Sequence, residues 1–352
     1  MKVEKKVIGN LTKCYSIAPL HYKGEDHILV AAEKTDRCLL YDADGNLEDT
    51  VWSEPGGTMT MVQVPGRDGQ FLATHKFYSP NDSKDAKIVI VTPGEKGWEV
   101  RTLVNLPHVH RFDILERGGV RYLIACALKS GHEYKDDWSM PGKVYGAVLP
   151  EDLSGFDEEH QLKLDVIKDD MLKNHGYYRV EDQGIQTAVI SADSGVYQFL
   201  PPEKADSPWE IRRLIDAACS DAVLLDLDGD GQKELAVISP FHGDRISIWK
   251  KVDGAYREIY VYERQAEFSH AIFGGMLCSK PAVVIGYRKG ERNLLAFSYS
   301  PQKGSYEVSV LDQDCGPANV YKYTRNGKDV IISANREIDE IAMYSILPDE
   351  AE

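Results

Sequence analysis

Short β-branched or aromatic runs recur along this chain, each bounded by Gly, Pro, Asn or Asp, and that punctuation leaves few folds open. Such runs include HILVA at 27–31, KIVIV at 87–91, RYLIA at 121–125, AVIS at 188–191 and LAVIS at 235–239. DADG at 42–45 and RNGK at 325–328 are tight-turn signals that close hairpins. Long helical periodicity is absent, and only residues 150–172 could hold a short helix, as an insertion.

The runs superpose as seven units, spaced by about fifty residues. Their opening strands begin CYSI at 14–17, TMTM at 58–61, HRFD at 110–113, HGYY at 175–178, DAVL at 221–224, HAIF at 270–273 and PANV at 317–320. The second strands end at Ala32, Thr74, Ala127, Ser191, Ser239, Gly286 and Ala334. The last unit lacks an outer strand, whereas residues 3–11 resemble an outer strand with no opening strand before it. Pairing the two ends closes a ring and hides the edges that an open sheet exposes. The expected fold is all-β: one seven-bladed β-propeller over residues 1–352, closed by the N-terminal strand. Its blades fall near 12–55, 56–107, 108–172, 173–218, 219–267, 268–314 and 315–347, with 3–11 as the closing strand. A pair of β-sandwiches is the structural alternative.

Composition narrows the function. With a net charge of −15, the chain is a poor match for the phosphates of nucleic acid. No segment approaches the roughly 20 apolar residues that span a bilayer, and the first residues do not read as a secretory signal. The six cysteines are scattered without a C-x-x-C pair, which suggests reduced thiols and a cytoplasmic location. The fingerprints of a serine-hydrolase elbow, a Walker loop and a dinucleotide-binding turn are missing.

The ten histidines are not placed at random. His110, His175 and His270 stand at the entrance to the first strand of units three, four and six, and Asp221 takes that place in unit five. His75, His132 and His242 lie just beyond the second strand of units two, three and five. In an antiparallel blade the first strand begins, and the second ends, on one face. First strands line a propeller's axis, so all six imidazoles are expected at one axial funnel. His110, His175 and His270, with His242 or Asp221 as fourth ligand, suit Zn²⁺, Mn²⁺ or Fe²⁺.

Around that funnel, Tyr177 and Arg179 follow His175, and Arg111 follows His110. The long loop 129–142 offers Trp138 for stacking on a sugar ring and Lys135 for its hydroxyls. Arg288 and Arg336 stand ready for a carboxylate or keto oxygen. A metal beside such groups suits proton abstraction next to a carbonyl and loss of a β-substituent, with His132 and His75 as acid and base and Tyr177 behind them. The expected activity is thus that of a carbon–oxygen lyase or dehydratase on a small keto-sugar, glycoside or uronide. Two alternatives stay open: a glycan- or protein-binding propeller without catalysis, and a glycoside hydrolase using Asp113, Asp137 or Asp221.

Two resemblances bear on this reading. Unit five contains DLDGDGQKE at 226–234, which resembles the aspartate-rich hairpin of FG-GAP or VCBS propeller repeats. Asp226, Asp228, Asp230 and Glu234 then become ligands of a structural Ca²⁺, the other reading being an ion-free turn. The segments LPHVHRFD, SGHEYKDDW, KNHGYY and FSHAIFGG are similar in style to the propeller domain of aldos-2-ulose dehydratases, and less closely to oligogalacturonate lyases. That similarity implies a metal-dependent elimination from a carbohydrate.

Overall fold

The computed structural model describes residues 1–35 and 37–348. Among these residues twenty-eight strands form seven four-stranded antiparallel sheets, so the chain is a seven-bladed β-propeller. In the first six blades the strands follow in chain order, over residues 14–52, 61–105, 109–168, 177–215, 221–261 and 269–312. The seventh sheet joins residues 319–347 to the N-terminal strand Lys2–Asn10, which pairs antiparallel with Glu340–Leu347. That strand is the exposed edge of its sheet, and Lys2, Glu4, Lys5 and Lys6 discourage a further strand from adding to it.

The first strands touch one another in a closed circle, each meeting the first strand of the next blade and the last meeting the first. They line the axis. Seven apolar clusters fill the seven gaps between adjacent blades. The second and third strands dominate them, for example Val283, Ile285 and Leu295 against Ala236, Ile238 and Ile248. Each fully buried Val, Leu or Ile contributes about 1.5–3 kcal/mol, so the ring is held by interlocking cores.

Residues 150–172 hold no α-helix. The outer strand Asp165–Lys168 ends this stretch, and the preceding loop buries Leu153 and Leu162 in the core between blades two and three. Asp152 and Asp157 accept hydrogen bonds from backbone N–H groups two residues on, which turns the chain locally instead of starting a helix. Among the described residues no helix is long and apolar enough to cross a membrane, and no two of the six cysteines form a disulfide.

Candidate metal centre

Local backbone geometry sets the axial side chains. The ladder between first and second strands slips by one residue at the same place in blades one, three and six. The residues left over are Tyr15, His110 and His270. A bulge re-aims its extra side chain, and all three meet: the Tyr15 hydroxyl lies 3.3 Å from His110 Nε2 and 3.1 Å from His270 Nε2. His175 arrives from blade four just before its first strand. Gly176 lets that backbone approach blade five, since a Cβ there would stand 2.5 Å from the Ser220 carbonyl oxygen.

His175, His242 and His270 bring their donor nitrogens within 4.8 Å of one another. His175 Nε2 and His242 Nε2 are 3.3 Å apart, and two nitrogens on one tetrahedral Zn²⁺ stand about 3.3 Å apart. Outer partners orient the rings. His175 Nδ1 donates to Asp221 Oδ2 at 2.9 Å, and His270 Nδ1 donates to the Ala318 carbonyl at 2.7 Å. Both therefore present an Nε2 lone pair inward. His242 is clamped between the Phe241 and Phe268 rings, at centroid distances of 3.9 and 4.4 Å.

Electrostatics keeps His110, His242 and His270 neutral. Burial, followed by the neighbouring His175 ring, holds His110, His242 and His270 well below the ordinary histidine range. Burial alone would raise the Asp221 carboxyl, but His175, the Arg111 charge and the Ser220 hydroxyl more than offset it and the net shift is downward. The His242 and His270 imidazoles, with His175 backed by the buried Asp221 carboxylate, form a donor set suited to a divalent transition metal.

Asp221 thus faces His175 rather than the centre, and the fourth-ligand role expected of it is replaced by an orienting one. His110 lies tilted beside His175, ring centroids 4.5 Å apart, with the His175 backbone also beside its ring. It adjoins the trio through Tyr15.

A cavity of about 460 Å³ runs along the axis from this cluster. Arg111, Asp221 and His270 line its inner end, and Phe112, Tyr177, Tyr178, Phe273 and Tyr321 form much of its wall. Exposed Pro19 and Arg179, farther along their strands, mark the open end. The cavity leads away from the His242 loop, so it opens opposite to the funnel expected from the sequence.

Several expected site residues lie elsewhere. His75 is buried against the Trp52 indole of blade one, centroids 4.7 Å apart, because strand alternation turns it into the gap between blades. His132 stands in the 129–142 loop against His108, 5.4 Å between centroids. Neither reaches the trio as acid or base. Tyr177 donates to Asp113 Oδ2 at 2.8 Å, and burial raises its phenol further, so it is no base. Arg179 grips the same carboxylate through two nitrogens.

Arg288 is bound to Glu337 at 2.7 Å and lies over the Phe268 ring, while Arg336 is held by Glu33 and Glu337. These pairs tie blades six, seven and one together. Trp138 has Lys129 Nζ at 4.6 Å and Lys173 Nζ at 5.6 Å from its ring, with Phe241 against it edge-on. Lys135 is exposed, and Asp137 accepts hydrogen bonds from the backbone of its own loop.

In the aspartate-rich hairpin, the Lys250 ammonium sits among Asp228, Asp230 and Glu234. Asp226, Asp228 and Glu234 do converge, but Asp226 already binds the backbone of Gly229 and Gly231. Lys250 thus meets three of the four carboxylates that the resemblance assigns to Ca²⁺. Burial would lower its ammonium, yet the three carboxylates outweigh that and hold it raised. The hairpin carries its own cation.

Tyr15 escaped the sequence reading because unit one was aligned on Cys14, one residue off the bulge. His108, Ser220, Phe241, Phe268 and Lys250 also escaped it, since each acts through a partner distant in sequence.

No protein-family model matches the sequence, nor does any curated protein sequence. By structure the chain is similar to the solved "Structure of Dos1 propeller", with a TM-score of 0.57 and 8% identity over 94% of this chain and 77% of that one. The likeness is one of fold. It supports the propeller architecture, and the site must be read from its own residues.

Proposed function

We propose that this chain is a metal-dependent carbon–oxygen lyase or dehydratase acting on a small, sugar-like substrate in the axial cavity. One observation carries the reading: His175 and His270 direct Nε2 lone pairs toward the same place as His242 Nε2, with their Nδ1 protons committed to Asp221 and Ala318. A divalent cation there would be held by His175, His242 and His270, which would leave the Tyr15 hydroxyl free of His270. It would act as a Lewis acid on a carbonyl or carboxylate oxygen.

The elimination needs a group to take a proton from the carbon beside the carbonyl and another to protonate the departing oxygen as the carbon–oxygen bond breaks. His110, buried and neutral beside the trio, suits the first task. Tyr15, whose phenol is raised by burial, suits the second. The reading agrees in kind with the stylistic similarity to aldos-2-ulose dehydratases and oligogalacturonate lyases. A glycoside hydrolase draws less support, because Asp113, Asp137 and Asp221 are each engaged with protein groups.

The test is turnover. Metal-loaded protein is incubated with a panel of keto-sugars and uronides, and the ultraviolet absorbance of a conjugated product is followed. Product is expected with at least one compound and is lost after chelation and in His175→Ala. Silence across the panel from fully metal-loaded protein contradicts catalysis and favours a binding propeller.

A further inference from the structure

The inner end of the axial cavity holds a guanidinium that, among the described residues, no carboxylate meets in an ion pair. Arg111 lines that end together with Asp221 and His270. Its Nη1 donates to the Met59 carbonyl at 2.7 Å, and its guanidinium carbon lies 5.8 Å from the Tyr15 ring centroid, so the group is fixed in place. Arg179, Arg288 and Arg336 each have a carboxylate partner. Among the described residues Arg111 has none within ion-pair distance, although it is half-buried. Asp221 is hydrogen-bonded to His175 and Ser220 instead.

A divalent cation at the trio would add two positive charges beside this one, against a single aspartate. Charge gathered in a partly desolvated site is costly unless a counter-charge joins it. A guanidinium presents a fork of N–H donors matched to a carboxylate. Beyond Arg111 the wall is largely apolar and aromatic, through Phe112, Tyr178, Phe273 and Tyr321, which suits a ring body behind an anionic head.

We infer that the axial cavity binds a small carboxylate, with Arg111 as the seat of its carboxyl group. The substrate class that follows is a uronate rather than a neutral sugar. That last step rests on the lyase reading; the anion seat itself does not.

The test compares D-galacturonate with D-galactose, each titrated calorimetrically into the full chain in metal-free and zinc-loaded form. Galacturonate is expected to bind at least about tenfold more tightly, as loss of a charge-assisted hydrogen bond implies. Arg111→Gln is expected to bring the two sugars near parity with zinc content unchanged. Arg111→Lys, which keeps the charge without the fork, is expected to weaken galacturonate several-fold and serves as the measured variant if glutamine is not tolerated. Equal affinity of the wild type for both sugars, no galacturonate binding in either metal state, or an undiminished preference in the variants overturns the assignment. Failure of the wild type to take up zinc contradicts the metal reading alone, and the comparison on metal-free protein still decides the seat.

Discussion

His175 Nδ1 hydrogen-bonds Asp221 Oδ2 at 2.9 Å, across the boundary between blades four and five and 46 residues apart in the chain. Both side chains are buried. The contact fixes the His175 tautomer and supplies a negative charge behind the ring. Asp221→Asn keeps the size and removes the charge, so zinc affinity is expected to fall roughly 10–100-fold. Competition with a chelator of known affinity measures it, and an unchanged affinity denies Asp221 that role.

Gly176 makes the contact sterically accessible. A Cβ at this position would lie 2.6 Å from the Asp221 Cα and 3.0 Å from its Oδ1. Gly176→Ala is expected to cost about 1–3 kcal/mol in urea unfolding, as overpacking does, and to weaken zinc binding with it. Wild-type stability in this variant would show that the backbones have room to part.

Acid should unfold the protein earlier than its carboxylates alone dictate. Burial, with Lys87 and Lys76 adding to it, pushes His75 down to about 3 from an ordinary value of 6.5. His110, His242 and His270 are lowered in the same sense. Only the unfolded chain then takes up these protons as the pH falls through about 6.5, so their stability is complete above that value and declines below it. His75 alone should remove about 2 kcal/mol between pH 7 and pH 5. His75→Phe should recover that share without altering zinc content. Denaturant midpoints at the two pH values check this, and a flat profile contradicts it.

Lys250 is expected to act as the internal cation of the aspartate-rich hairpin. Glu234 is fully buried beside Asp228, so Lys250→Met leaves buried charge unpaired, at a cost of about 3–5 kcal/mol. Millimolar Ca²⁺ should restore much of that stability to the variant, while the wild type ignores both Ca²⁺ and chelator. A wild type that melts higher with Ca²⁺ would return the hairpin to the family pattern it resembles.

The architecture was legible because strands, turns and chain ends all carry short-range signals. The run at 3–11 reads as an unpaired outer strand, and it pairs with Glu340–Leu347. The meeting of His110, His175, His242 and His270 was legible from their repeated place in each unit. What failed depended on side-chain direction. His75 sits at the right end of the right strand, but alternation turns it toward Trp52. The bulges that aim Tyr15, His110 and His270 leave no mark in composition. Arg288 and Arg336 looked available because their partners Glu337 and Glu33 come from other blades, and Lys250 went unnoticed because its partner Asp228 lies in a distant turn.

Metal content of the purified protein, by mass spectrometry after dialysis against Zn²⁺ or Mn²⁺, tests the central claim most directly. Stoichiometric metal is expected in the wild type, in His75→Phe and in His132→Ala, and its loss in His175→Ala and His270→Ala. A wild type that retains no metal, or a His175→Ala and His270→Ala pair that retain it in full, would contradict the axial centre.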